Sequence, residues 1–262
     1  MPELPEVNTF QRYFEATSLH QKIREVEVYD EKIIRNVSGL DFIERLEGRI
    51  FTGTSRRGKY LFVNLDNGHH VQLHFGMTGD IKYYSEPEDR PRHERFVFHF
   101  DSGFRLGFDC PRKFARICYI ENLEDYLADI GLGEDALMIS EAEFLQKMEG
   151  KKNNIKGFLL NQKYIAGVGN LYADEICYQT RIHPASSVKN LSTAQCHDVF
   201  QKMRAILTKA IEQSAHYKEY PENWFWAWRK EGFTRPDGLG VVKSTKIAGR
   251  TTYYCEGWQV LY

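Results

Sequence analysis

The chain opens Met1-Pro2-Glu3-Leu4-Pro5-Glu6-Val7, and the reading of this heptad decides the rest. Proline is small enough for the initiator methionine before it to be removed, which leaves Pro2 with a free secondary amine. An α-amino group has a pKa of roughly 8, far below lysine, so much of it is an unprotonated nucleophile at neutral pH. A secondary amine that attacks an electrophilic carbon can persist as an iminium ion. Glu3 is held beside that amine by the backbone, where it can donate or accept a proton. The same residues also suit a plain helix start, because proline fits the first turn and carboxylates favour its positive end. For an isolated Met-Pro-Glu start the plain reading is the better one, so the remaining sequence must decide.

Outward from the heptad, Val7, Phe10 and Phe14 share one face and predict a helix over 5–16. A β-rich region follows. Leu61, Val63 and Leu65 alternate before Asp66-Asn67-Gly68, and Val71, Leu73 and Phe75 alternate after it, which signals a hairpin. Phe96, Phe98 and Phe100 lead into Asp101-Ser102-Gly103, and Phe104, Leu106 and Phe108 lead out, which signals a second. Residues 80–94 are charged and proline-containing and read as a loop, and 115–120 as a further strand. Together these predict an antiparallel β-sandwich. Beyond about residue 130 the pattern turns helical. Ser140-Glu141-Ala142-Glu143 reads as a capping box, 153–164 and 170–179 as helices, and Ser192 as the cap of a longer helix burying Val199, Met203, Ile206 and Ala210. An aromatic run, Trp224-Phe225-Trp226-Ala227-Trp228, precedes a terminal hairpin within 240–262. The fold class is therefore α+β, with expected domains 1–130, 131–221 and 222–262.

Composition bounds the function. A chain of 262 residues with 42% hydrophobic and 27% charged residues is that of a soluble globular protein with one or two domains. It has no apolar run of membrane-spanning length and no basic-then-apolar leader, which points to a cytoplasmic protein. The cysteines, Cys110, Cys118, Cys177, Cys196 and Cys255, are scattered and form no Cys-x-x-Cys pair, so they read as reduced core fillers rather than metal ligands. A formal net charge of −1 lacks the basic excess usual in nucleic-acid binders, yet binding needs only a local basic face.

Further motifs follow the heptad in order. They are Arg57-Gly58-Lys59-Tyr60-Leu61, His74-Phe75-Gly76-Met77-Thr78-Gly79, Cys110-Pro111-Arg112-Lys113-Phe114, Lys156, Gly167-Val168-Gly169-Asn170-Leu171-Tyr172-Ala173-Asp174-Glu175 with Ile182-His183-Pro184, and Gly249-Arg250-Thr251-Thr252-Tyr253-Tyr254-Cys255. Taken singly, most have a plain structural reading, such as a strand entrance, a core methionine or a proline turn. The glycine-rich stretch is stronger, since two glycines let the backbone approach a phosphate and the following helix aims free N–H groups at that anion. Asn170 there either caps the helix or turns its amide to the phosphate.

Together with the heptad, these motifs resemble the formamidopyrimidine-DNA glycosylase/endonuclease VIII family, which repairs oxidised DNA bases using an N-terminal proline. Leu4 resembles the formamidopyrimidine branch. The resemblance implies catalytic roles for Pro2, Glu3 and Lys59, and DNA contacts for His74, Lys156, Gly169, Asn170 and Arg250. It makes Met77, Arg112 and Phe114 the wedges that hold the duplex open while the damaged nucleotide is extruded. It implies a helix–two-turn–helix element over 151–184, DNA in a cleft between two domains, and a monomer acting on damaged double-stranded DNA near the nucleoid.

The sequence also departs from that family. Cys110 replaces an aspartate, and Lys113 replaces an arginine, keeping the charge but losing the planar fork. The family's finger uses two Cys-x-x-Cys pairs, whereas here Cys255 stands alone, Trp258 takes the fourth ligand position and Asp237-Gly238-Leu239-Gly240 replaces the first pair. One thiolate cannot build a four-ligand zinc site. The expectation is a zincless hairpin with no cofactor, in which Tyr253, Tyr254 and Trp258 support Arg250 by packing. The run 224–228 either packs beneath that hairpin or offers a stacking surface to a flipped base. The implied activity is base excision with strand cleavage by β,δ-elimination. The alternatives are a paralogue that binds damaged DNA without excising it, and a general helix–two-turn–helix nucleic-acid binder.

Overall fold

Glu3 is the N-cap of α1 (Leu4–Ser18), where its backbone N–H donates to the Glu6 carboxylate at 2.8 Å. In this computed structural model, which describes residues 1–262, α1 starts one residue before the predicted span and ends two after it. Its inward face is the one expected. Val7 and Phe14 are fully buried, Phe10 stacks on Phe75 at 4.2 Å and Phe14 meets Phe51 edge-on at 5.1 Å. The chain divides into two units, Met1–Gly131 and Leu132–Tyr262.

In the first unit, α1 is followed by β1 (Ile23–Val28), α2 (Gly39–Leu46), β2 (Phe51–Arg57), β3 (Tyr60–Leu65), β4 (His70–His74), β5 (Asp80–Tyr84), β6 (Glu94–Phe100), β7 (Arg105–Asp109), β8 (Arg116–Ile120) and α3 (Leu123–Ile130). The strands make two antiparallel four-stranded sheets, β1-β6-β7-β5 and β2-β3-β4-β8. Both predicted hairpins form, with Val63 opposite Val71 and Phe98 opposite Leu106. Phe51, Phe96, Phe98, Phe100 and Phe108 meet in one apolar core that α1 also enters. α3 covers the outer face of the second sheet, placing Leu123, Tyr126 and Leu127 on Phe62, Cys118 and Ile120.

One expectation fails here. Residues 80–84 are not loop but β5, paired with β7 from Asp80–Asp109 to Tyr84–Arg105. Ile81 and Tyr83 face the core while Asp80 and Lys82 face outward, a period-two pattern masked by the charges.

The second unit holds a two-residue parallel pair, β9 (Glu134–Asp135) with β10 (Ile165–Ala166), and the helices α4 (Glu141–Met148), α5 (Ile155–Leu160), α6 (Asn170–Gln179) and α7 (Thr193–Glu212). It ends in the hairpin β11 (Val241–Ile247) and β12 (Arg250–Glu256). Ser140 caps α4 by accepting from Glu143 N, but the Glu143 carboxylate lies 3.4 Å from Lys147 instead of closing a box. α5 is shorter than its predicted 153–164. Asn154 starts it, accepting from Gly157 N at 2.7 Å, and beyond Asn161 the chain turns into β10. α6 spans the residues predicted, and α7, capped by Ser192 and Gln195, buries the predicted face. Ala248 (φ 50) and Gly249 (φ 72) form the two-residue turn of the hairpin. Left-handed conformation at both positions matches the right-handed twist of the strands.

Candidate active site and nucleic-acid interface

α1 packs on β2 and β3, and Gln11 ties it to Thr54 of β2 at 3.0 Å. The helix that begins behind Pro2 and Glu3 is thus fixed to the hairpin whose tight turn carries Lys59, where Gly58 adopts φ 58. Glu3 is buried, and Pro2 and Lys59 are partly exposed. The Pro2 nitrogen is in peptide linkage to Met1 in the full sequence, so a free secondary amine requires removal of Met1.

His74 ends β4 with its ring 4.8 Å from Tyr60. Burial, together with Arg116 and Lys59 nearby, holds its imidazole down to about 4, so it is neutral at pH 7. Its Nδ1 accepts from Gly76 N at 3.3 Å, which leaves the proton on Nε2. Beyond it, Gly76 (φ 61) lies so close to the Phe114 carbonyl that a side chain there would collide with it. Arg112 N reaches the Thr78 hydroxyl at 3.3 Å. Two segments far apart in sequence, 74–79 and 110–114, are therefore in contact. Phe114 is 52% exposed and the Arg112 guanidinium lies 5.1 Å from its ring, while Met77 is half-buried.

The departures in this loop acquire a physical account. Cys110 is fully buried in the apolar core. The loop is braced from outside by Arg95, whose Nε donates to the Cys110 carbonyl at 2.9 Å. Lys113, at φ 55, turns its ammonium 2.5 Å from Asp30. That bond holds the Asp30 carboxyl below the usual range.

In the second unit, Gly169 takes the N-cap position of α6 and Asn170 becomes its first residue. The Asn170 amide donates to the Thr251 carbonyl of β12 at 3.0 Å, so it is tied to the hairpin rather than capping the helix. Arg250 follows the β-turn directly and is exposed. The Lys156 side chain, expected at DNA, is fully buried, with Nζ 2.6 Å from Asp174 Oδ1 and 2.7 Å from Thr252 Oγ1, so its ammonium is engaged inside the fold. Asp174, also fully buried, accepts at Oδ2 from Arg229 Nε (2.9 Å), Arg229 Nη2 (2.6 Å) and Tyr253 N (3.1 Å). Burial pushes the Lys156 ammonium down, and Asp174 opposes that shift.

The hairpin rests on aromatic packing. Tyr178, Phe225, Trp228, Val242 and Cys255 form a buried cluster, with Tyr253 and Trp258 against it. Trp258 Nε1 donates to the Tyr178 carbonyl at 3.1 Å, and Arg181 and Arg235 lie 3.7 and 3.2 Å from its rings. Tyr254 lies elsewhere, edge-on to His183 at 4.3 Å. Cys255, the one cysteine of the hairpin, is packed among apolar groups, a donor set that does not fit a four-ligand zinc site. In the aromatic run Trp224, Phe225 and Trp228 are buried. Glu175 fixes the run by accepting from Phe225 N and Trp226 N, both at 3.1 Å. Burial pushes the Glu175 carboxyl up to about 7 against the pull of those donors.

Sequence reading missed Asp30, Arg95, Arg229 and the bracing roles of Asp174 and Glu175. The one signal available was an Asp-Glu pair in a helix otherwise turned inward, with arginine directly after the aromatic run.

Residues 1–117 match the family model for the formamidopyrimidine-DNA glycosylase N-terminal domain, and residues 132–220 that for the formamidopyrimidine-DNA glycosylase H2TH domain. The chain is 34% identical to the formamidopyrimidine-DNA glycosylase of Arabidopsis thaliana, covering 100% of this chain and 72% of that one. It is 32% identical to that of Pelotomaculum thermopropionicum, covering 97% and 98%. Among solved structures it is similar to Lactococcus lactis Fpg in complex with FAPY-dG-containing DNA, with TM-score 0.88, 26% identity and coverage of 98% and 99%. The chain belongs to the formamidopyrimidine-DNA glycosylase family.

Proposed function

We propose that this protein is a base-excision-repair DNA glycosylase with AP-lyase activity, removing oxidised bases from duplex DNA through Pro2. The observation that carries this reading is the intact Pro2-Glu3 pair at the start of α1, on a helix fastened to the hairpin that presents Lys59. Once Met1 is removed, the Pro2 nitrogen attacks C1′ of the damaged nucleotide, the glycosidic bond breaks, and the base leaves with the electron pair and a proton. Loss of the amine proton and protonation of the ring oxygen by Glu3 open the sugar to an iminium ion. The iminium acidifies the C2′–H, and its removal expels the 3′ phosphate. A second elimination expels the 5′ phosphate. Arg112, Phe114 and Met77 fill the gap left by the extruded nucleotide, which offsets the lost stacking. Lys59, His74, Gly169, Asn170 and Arg250 hold the surrounding phosphates. No step draws on a metal or organic cofactor, and the chain acts as a monomer. No helix is long and apolar enough to cross a membrane.

Borohydride tests this directly, because it reduces the iminium to a stable crosslink. The protein is incubated with duplexes bearing an abasic site, 8-oxoguanine or dihydrouracil. A crosslink that is lost in Pro2→Gly is the expected result, and the set of duplexes that trap names the lesion class. No crosslink on any duplex, with mass spectrometry showing Met1 removed, would overturn the enzyme reading in favour of a damage-binding paralogue.

A further inference from the structure

The buried charge cluster under the hairpin is more elaborate than folding needs. Asp174 and Lys156 are fully buried, yet replacing such ions by apolar residues commonly costs nothing or stabilises. Their value lies in what they join. Lys156 sits on α5, Asp174 on α6, Thr252 and Tyr253 on β12, and Arg229 directly after the aromatic turn. Arg229 spends its fork on one Asp174 oxygen, lies 4.6 Å over the Tyr253 ring and is only 16% exposed. The Asp174 oxygen it binds is also the acceptor for Tyr253 N, three residues beyond Arg250. The neighbouring Thr251 carbonyl is held by Asn170. Two of the residues assigned to phosphates, Asn170 and Arg250, are thus fixed to one another, and the clamp is closed from behind by Arg229.

We infer that Arg229 is a positioning residue for the repair reaction: with Asp174 and Lys156 it takes over the zinc ion's task of holding Arg250 on the backbone of the damaged strand. This rests on the glycosylase reading above. Arg229 does not touch DNA in this scheme, and acts by fixing the strand that carries Arg250. The aromatic segment and the phosphate grip are then mechanically one piece.

The experiment is a double-mutant cycle between Arg229→Met and Arg250→Gln, read as affinity for a duplex containing a reduced abasic-site analogue across a salt series. Arg250→Gln should weaken binding on the order of tenfold and make the slope of log affinity against log salt shallower by about 0.9, one phosphate contact. Arg229→Met should do the same, and the double variant should be no worse than either single one. In Arg229→Met the rate of borohydride trapping on a duplex with an unreduced abasic site, at saturating DNA, should change far less than affinity, since Pro2 is untouched. Additive losses, with a second step in the salt slope, would mean that Arg229 meets DNA itself, and unchanged binding in Arg229→Met would mean the brace is idle. Either result overturns the inference. If thermal melting shows Arg229→Met unfolded, Arg229→Lys is read instead. It keeps the charge without the fork, and a loss smaller than that of Arg250→Gln, non-additive with it, is the expected result. A wild type that neither binds nor traps on abasic DNA would strike the glycosylase reading rather than the brace.

Discussion

Glu175 accepts hydrogen bonds from two consecutive backbone N–H groups of the aromatic turn and from Gln179, all inside the protein. Its carboxyl is raised from 4.5 to about 7, so the folded state holds its proton where the unfolded chain has already lost it. Stability from this group is therefore fullest below pH 4.5 and declines as pH rises to 7. A shift of this size corresponds to about 3 kcal/mol across the window. His74 acts in the opposite sense, since its lowered pKa makes stability rise with pH between about 4 and 6.5. Comparing wild type with Glu175→Gln isolates the first effect. Denaturant titrations from pH 4 to 8 should show the variant's stability gaining on the wild type's as pH rises. Parallel curves would remove the charge-burial account of how the aromatic turn is held.

Two turns set the geometry at the scale of elements. At Gly76 the left-handed backbone and the contact with the Phe114 carbonyl leave no room for a side chain. Gly76→Ala should cost about 2 kcal/mol of stability from strain alone and should weaken binding of lesion duplexes by displacing the loop that carries Arg112 and Phe114. Melting and affinity measured together check this, and full affinity in the variant would mean that the two loops do not move as one. At the hairpin tip Ala248 occupies a conformation that alanine tolerates poorly. Ala248→Asn completes the Asn-Gly pair favoured there and should stabilise the protein by roughly 0.5–1 kcal/mol, seen as a higher melting temperature. These turns also mark how far the sequence could be read. The hairpin at 66–68 and the helix at 170–179 were legible because local chemistry alone fixes them. The strand at 80–84 was hidden by Asp80 and Lys82, which decorate its outer face. The site motifs were legible as segments, but the contact of Gly76 with Phe114 and the burial of Lys156 are tertiary facts. A lysine bound for solvent and one bound for Asp174 look alike until the partner helix and strand are in place.

For the whole molecule, a formal charge of −1 means that no global field draws this protein to nucleic acid. On the proposed reading binding comes from a small set of cations at fixed places, of which Lys59 and Arg250 are the charged ones assigned to phosphates. Each phosphate neutralised releases about 0.9 of a counterion, so two such contacts give a slope of log affinity against log salt near −2. The wedges and the extruded nucleotide release no counterions. The expected outcome is therefore that damaged and undamaged duplexes weaken in parallel as salt rises, with the gap between them kept. Lys59→Gln should flatten both lines by about 0.9, whereas Phe114→Ala should narrow the gap and leave the slopes unchanged. Fluorescence anisotropy with matched abasic-analogue and undamaged duplexes from 50 to 300 mM salt reads both quantities. A slope near zero for the damaged duplex would mean that phosphates do not hold it. A gap that closes with salt would mean that discrimination is electrostatic and that Phe114 is not the wedge.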